Sequence, residues 1–195
     1  MSERQATTTG STGESTVTVQ LNVDGKGECR ISSGIGYFDA LLRMFAHHAK
    51  FDIKVDVEVD DKLEAHMVET IGHCLGLALT KALGNKKGIT RFAFSIVPLE
   101  EALARVVLDL SGRPYLVWNV PIPVDSLGSF DSYLGLEFMR RFVMAGGINM
   151  HVDLLEPGSP HHVFDAIFVA VGRAIGDAVA LDPREKGIPS SKGVL

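Results

Sequence analysis

AHMVE (65–69) opens one long amphipathic stretch, and HHVFD (161–165), 96 residues further on, opens another. Each then carries apolar residues at helical spacing: Glu64 to Leu83, stopped by Gly84, and His161 to Leu181. Likewise LNVDG (21–25) matches LDLSG (108–112) at an offset of 87, and Phe38-Asp39 matches Phe130-Asp131 at an offset of 92. Offsets that grow along the chain are what two copies of one folding unit, separated by short insertions, would give. Units of this kind also resemble one another without common descent, so the repeat rests on three matches falling in order.

The elements between those landmarks follow from period. TVTVQLNV (16–23) alternates as a half-buried strand closed by the turn Asp24-Gly25, and Glu28 to Ser33 returns as a second. Phe38, Leu41, Leu42 and Phe45 place a helix over Tyr37–Ala49; Phe51–Val59 alternates again before the long helix. The first half thus reads β-β-α-β-α. The second half repeats the order, with strands over Phe92–Val97, Leu103–Leu110 and Tyr115–Val120, a helix over Phe130–Ala145, a strand over Ile148–Leu155 and the last helix. The fold class expected is α+β: internally duplicated units in a single domain, sheets packed against helices. Residues 1–13, rich in Ser, Thr and Gly, read as a flexible arm. The domain then spans 14–195, with repeats over 14–90 and 91–185 and a tail over 186–195.

With 46% apolar and 22% charged residues the chain has the makeup of an ordinary globular domain. A net charge of −5 argues against nucleic acid as partner, since phosphate backbones require a basic surface. No apolar run reaches membrane-spanning length, and MSERQATTTGSTGES lacks a signal-peptide core, so a cytoplasmic location is expected. Cys29 and Cys74 lack CxxC spacing and read as reduced thiols.

Two constellations carry chemistry. In His161-His162-x-x-Asp165, positions i and i+4 share a helix face while i+1 points about 100° away. His161 and Asp165 can therefore address one metal ion and His162 another. His66 and Glu69 share a face at i and i+3, and His73 continues it. Mixed imidazole and carboxylate donors suit Mn, Fe or Zn; the same letters also suit a helix N-terminus, where an acidic residue complements the dipole. The second constellation, Ser190-Ser191-Lys192-Gly193 with Arg91 and Arg113, offers donors for a phosphate dianion, although a basic, Ser-rich tail taken alone is more often a solvated end.

GIGYFDALL, FAHHAKFD, AHMVETIGHCLGLAL, PLEEALARVVLDLSGRPYL, INMHVDL, HHVFDAIFVAVGRAIG and IPSSKGVL occur in the order seen in imidazoleglycerol-phosphate dehydratases, which the chain resembles from about Glu14 to Leu195. The resemblance implies a duplicated fold like domain 2 of ribosomal protein S5 and a lyase of histidine biosynthesis. It also implies a homo-oligomer of 24 subunits with active sites between them. Two Mn2+ ions would hold the substrate as imidazolate, so that the neighbouring hydroxyl is expelled. It implies metal ligation by His48, His66, Glu69, His151, His161, His162 and Asp165, acid–base roles for Glu14 and Glu69, and phosphate binding by Arg91, Arg113, Ser190 and Lys192.

The chain departs from the family pattern where that pattern has LDHML, giving Ala40, and where it has HHxxE, giving Ala65. Asp165 replaces a glutamate, Val169 a substrate-binding lysine, and Glu100 an aspartate. The resemblance assigns Ala65's lost ligand to an ion with Glu69, His162 and His151, and Ala40's to one with His161, Asp165 and His66. Each site then keeps about three protein ligands of four, enough for a catalytic metal with water in the gap; His47 and His73 are extra imidazoles in the same segments. Three readings follow: a dehydratase, a non-catalytic paralogue retaining fold and phosphate pocket, or an enzyme for another phosphorylated substrate.

Overall fold

The computed structural model describes residues 4–12, 15–58, 64–121, 126–127 and 130–195. Strands β1 (Gln5–Thr12), β2 (Ser15–Asn22) and β3 (Cys29–Ser32) precede helix α1 (Gly36–Ala49), strand β4 (Asp52–Glu58) and helix α2 (Glu64–Leu83). The second copy runs β5 (Phe92–Leu99), β6 (Ala102–Asp109), β7 (Tyr115–Asn119), the short pair β8 (Ser126–Leu127) and β9 (Phe130–Asp131), α3 (Ser132–Gly146), β10 (Asn149–Glu156) and α4 (Pro160–Val179). The two four-stranded sheets have orders β1-β2-β4-β3 and β5-β6-β10-β7.

The duplication extends to register. Val19 faces Val55 between β2 and β4, and Val106 faces Val152 between β6 and β10. Cys29 faces Ile53 in the parallel pair β3–β4, and Leu116 faces Met150 in β7–β10. An offset of 87 relates β1, β2 and β3 to β5, β6 and β7, and one of 97 relates β4 to β10. Apart from the short pair β8–β9 inserted in the second, both copies are therefore β-β-β-α-β-α.

Two expectations are corrected here. Residues 5–12 are not a mobile arm but strand β1, so the first repeat begins before Glu14. Its Thr-rich sequence shows no apolar alternation; what orders it is pairing along β2 from Gln5↔Asn22 to Thr12↔Ser15. The buried Thr8 hydroxyl donates to the Cys74 carbonyl (2.8 Å), and Arg4 pairs with Asp24 and donates to the Val179 carbonyl (2.7 Å). Second, Phe38-Asp39 and Phe130-Asp131 are not counterparts. Phe130 lies in β9, and Asp131 is the N-cap of α3, its carboxylate accepting the Tyr133 N–H (2.9 Å). The left-handed C-caps Lys50 and Gly147 instead align α1 with α3 at 97, matching Phe45 to Phe142.

Alternation in β2 sends Val17, Val19 and Leu21 inward, and β6 does the same with Ala104, Val106 and Leu108. The helices lie between the sheets: α2 packs on α3, and α1 on α4. Phe38, Phe45, Phe138, Phe142 and Phe168 form their common aromatic core, with centroid separations from 5.3 Å (Phe38–Phe138) to 6.0 Å (Phe138–Phe142). The side chains that meet in this layer are chiefly apolar, and the histidines and carboxylates singled out by the sequence lie around it. No helix among the described residues is long and apolar enough to cross a membrane.

Candidate functional site

The N-terminus of α4 is fixed by Ser159, whose hydroxyl accepts the His162 N–H (3.3 Å), with Pro160 at the first helical position. This start sends His161 and His162 apart, as their spacing predicts. The His161 ring packs on Tyr37 of α1 (centroids 4.4 Å), and the Tyr37 hydroxyl lies 3.0 Å from Asp165 Oδ1 and 3.2 Å from the His161 carbonyl. Burial and the adjacent Asp165 carboxylate hold the Tyr37 phenol far above its ordinary range, so it remains a proton donor to Asp165.

His162 turns the other way, its Nδ1 2.9 Å from Glu101 Oε2 in the β5–β6 turn. The Ser159 N–H donates to Glu101 Oε1 (2.6 Å). Chiefly this bond, then Glu101's own backbone N–H and His162, pull the Glu101 carboxyl from 4.5 to about 2. A depressed carboxyl stabilises the fold above its unfolded value, and that contribution disappears as pH falls from about 4.5 towards 2. Glu101→Gln should therefore loosen the α4 N-terminus at neutral pH, seen as faster amide exchange at Val163, and flatten the wild type's acid dependence there. Unchanged exchange at both pH values would show that Glu101 does not hold the cap.

On α2, Glu69 accepts two bonds on one oxygen, Oε2, from Arg141 of α3: Nε at 3.0 Å and Nη2 at 2.5 Å. His66, Glu69, His73 and Arg141 line one hollow of about 380 Å3 with Thr9 and Ser11 of β1. His151 is elsewhere. It lies on the exposed face of the second sheet, in the cross-strand row Phe94–Val107–His151–Val117. Beside it Asp153 accepts from Asn119 (2.8 Å) and Arg105 (3.1 Å), which together hold its carboxyl below the usual range. His48 is at the far end of α1 from Tyr37, about 16 Å along the axis, with His47 against it. Burial, then His47, Arg173 and Lys50, lower its pKa.

The predicted phosphate residues do gather at one margin. The Arg91 guanidinium binds Asp109 (2.6 and 3.0 Å) and the Pro189 carbonyl (2.8 Å), pinning the tail. The tail then turns on itself, Ser190 accepting at Oγ from the Lys192 N–H (3.2 Å) and at its carbonyl from the Gly193 N–H (2.9 Å). Leu195 ends beside Gly112, next to the exposed Arg113. Buried Lys86 also reaches in, donating to the Leu110 carbonyl (2.8 Å), its pKa lowered by burial. Arg91 thus positions the tail, while Arg113 and Lys192 are exposed.

Among the described residues, no three His, Cys, Asp or Glu side chains group closely enough to hold a metal ion. Glu14 lies outside the described residues. Within one chain the predicted ligands fall in five separate places: Tyr37–His161–Asp165, His162–Glu101, the α2 stripe with Arg141, His151 on the outer sheet face and His48 at the end of α1. Ala40 lies one turn beyond Tyr37, and Val169 is packed at the core margin. Sequence reading missed Tyr37, Glu101, Arg141 and Lys86. Only the last carried a local hint, as a basic residue beside a glycine turn.

The sequence model of the imidazoleglycerol-phosphate dehydratase family matches residues 33–175. Proteins named imidazoleglycerol-phosphate dehydratase from Moorella thermoacetica and Caldanaerobacter subterraneus are 47% and 46% identical to this chain. The alignments cover 98% of this chain in both cases, and 98% and 100% of those proteins. The crystal structure of the Staphylococcus aureus dehydratase superposes with a TM-score of 0.84 at 30% identity, over 91% of this chain and 99% of that one. That of the Pyrococcus furiosus protein, in complex with (S)-C348, gives 0.82 at 28%, over 96% and 100%.

Proposed function

The chain belongs to the imidazoleglycerol-phosphate dehydratase family, and from that premise we propose that it acts on imidazole-glycerol phosphate, yielding imidazole-acetol phosphate in histidine biosynthesis. It is a carbon–oxygen lyase. Loss of water takes a proton from one substrate carbon and hydroxide from its neighbour, and the enol left behind becomes the ketone. The observation that carries the reading is the convergence of Arg91, Arg113, Ser190 and Lys192 at one margin, supported by the docked tail. That margin suits a phosphate dianion, with Arg113 and Lys192 as the charged contacts.

The residues of one chain do not fit the manganese pair that the resemblance implies. Three of its donors are engaged internally, Glu69 by Arg141, Asp165 by Tyr37 and His162 by Glu101. His151, on the outer sheet face, could join helix-borne donors only from another copy. That face supports a homo-oligomer: Phe92, Phe94, Ile96 and Tyr115 on it are 58%, 67%, 50% and 63% exposed, an apolar patch of the kind that subunit contacts cover. The same engagements, with Ala40 and Ala65, favour a second reading: a paralogue that keeps fold, assembly and phosphate pocket but not the reaction.

Purified protein supplied with imidazole-glycerol phosphate and Mn2+ should form imidazole-acetol phosphate, and should sediment as a multimer. Restoring both imidazoles, Ala40→His with Ala65→His, should raise the rate. Phosphate-competitive binding without product in either protein would give the paralogue reading the field, and a monomer would remove the assembly.

A further inference from the structure

The two carboxylates at equivalent places in the repeat, Glu69 on α2 and Asp165 on α4, have partners of different charge. Asp165 meets the neutral hydroxyl of Tyr37. Glu69 meets a guanidinium, which stays charged at every physiological pH. The difference arises from the helix facing each carboxylate. The offset of 97 that aligns α1 with α3 puts Met44 opposite Arg141, so only one copy has a cation there. The contact is built in: an added Cβ on Gly72, one turn from Glu69, would stand 3.2 Å from Arg141 Cβ and 2.7 Å from the Phe138 carbonyl oxygen. The missing side chain is what allows α3 to lay the arginine stem across α2.

We propose that Arg141 is a tethered cation that takes the place of a divalent ion at Glu69, leaving the α2 half of the repeat charge-satisfied without metal. A metal ion needs a carboxylate lone pair and negative charge to balance its own. At Glu69 an incoming ion must displace the guanidinium or remain beside it, and either route weakens binding. His66 and His73 line the same hollow but do not group with Glu69 closely enough to hold an ion as they stand, so what removing the arginine restores there is the negative charge of the carboxylate. Asp165 carries no such block. The inference deepens the lyase reading, since it concerns the same family site, but it predicts metal affinity and not turnover.

The test is Mn2+ binding to the full-length protein, read from the electron paramagnetic resonance of free aqueous Mn2+. Arg141→Met gives the first repeat's residue to the second, and Arg141→Gln keeps a polar surface in case the methionine variant aggregates. Both should gain a site at least tenfold tighter than any in the wild type, about 1.4 kcal/mol. Arg141→Lys should stay weak. Adding Glu69→Gln to Arg141→Met should abolish the gain. Wild-type affinity equal to that of Arg141→Met, or a gain that survives Glu69→Gln, overturns the proposal. Product formed by a wild type whose Mn2+ affinity matches Arg141→Met would end this inference and leave the lyase reading intact. A tenfold gain without product in any variant would do the reverse.

Discussion

Gly76→Ala lowers the melting temperature by roughly 4–8 °C, although alanine is the better helix former. In an open helix the exchange would stabilise by about 1 kcal/mol. Here the added Cβ would stand 2.5 Å from the Phe142 carbonyl oxygen, 2.8 Å from the Gly146 nitrogen and 2.9 Å from Ala145 Cβ. Two of these are backbone atoms of α3 and cannot rotate away. Overpacking of this kind costs about 3 kcal/mol at the upper end of its range, so the clash wins by about 2 kcal/mol. The repeat supplies a matched measurement: Gly172→Ala on α4 would meet the Phe45 carbonyl oxygen at 2.7 Å and the Ala49 nitrogen at 3.3 Å on α1, and should lose a similar amount. Gly36, where an added Cβ would meet nothing within 4 Å, should tolerate alanine. Differential scanning calorimetry of the three variants decides it; a Gly76→Ala protein melting within about 1 °C of wild type would mean that α2 and α3 do not approach this closely.

Arg91→Met is expected to destabilise the fold by about 3 kcal/mol and to release the C-terminal tail. The side chains of Arg91 and Asp109 are only 12% and 20% exposed. Removing the guanidinium therefore leaves a largely desolvated carboxylate without its partner, and partial exposure keeps the cost at the low end of the range. The Pro189 carbonyl loses its donor at the same time. Limited trypsin digestion should cut faster at Lys186 and Lys192, and affinity for inorganic phosphate should fall even though Arg91 itself is committed to Asp109. Arg91→Lys should not rescue either property, because one ammonium cannot serve both carboxylate oxygens and the carbonyl in the fork geometry of arginine. Tail cleavage at the wild-type rate would show that Arg91 does not hold it.

These two sites differ in how much of them the letters carry. The glycine turns at Gly25 and Gly112, the period-2 strands around Val19 and Val106, and the long helix Glu64–Leu83 are local patterns, and each occurs where its period places it. Strand β1 escaped because ATTTGS has no apolar alternation; it is ordered by β2 and by the Thr8 bond to α2, both distant in sequence. The alignment of Phe38-Asp39 with Phe130-Asp131 failed for a related reason. Two matching letters outweighed the helix C-caps, whose left-handed backbone is what marks the true offset.

For the site, residue types were legible and partners were not. HHVFD announced that His161 and Asp165 share a face, and they do. That Tyr37, 128 residues from Asp165, would bind it, or Arg141, 72 residues from Glu69, would neutralise its counterpart, depends on which helices cross. By itself the sequence determined the duplicated α+β architecture, the family, and the side chains available for chemistry, because periodicity and motif spacing are properties of neighbouring residues. The crossing of α2 on α3 and α1 on α4 alone decided which carboxylate receives a charge and which a neutral hydroxyl, because a side chain's electrostatic partner is chosen by packing across the core and not by distance along the chain.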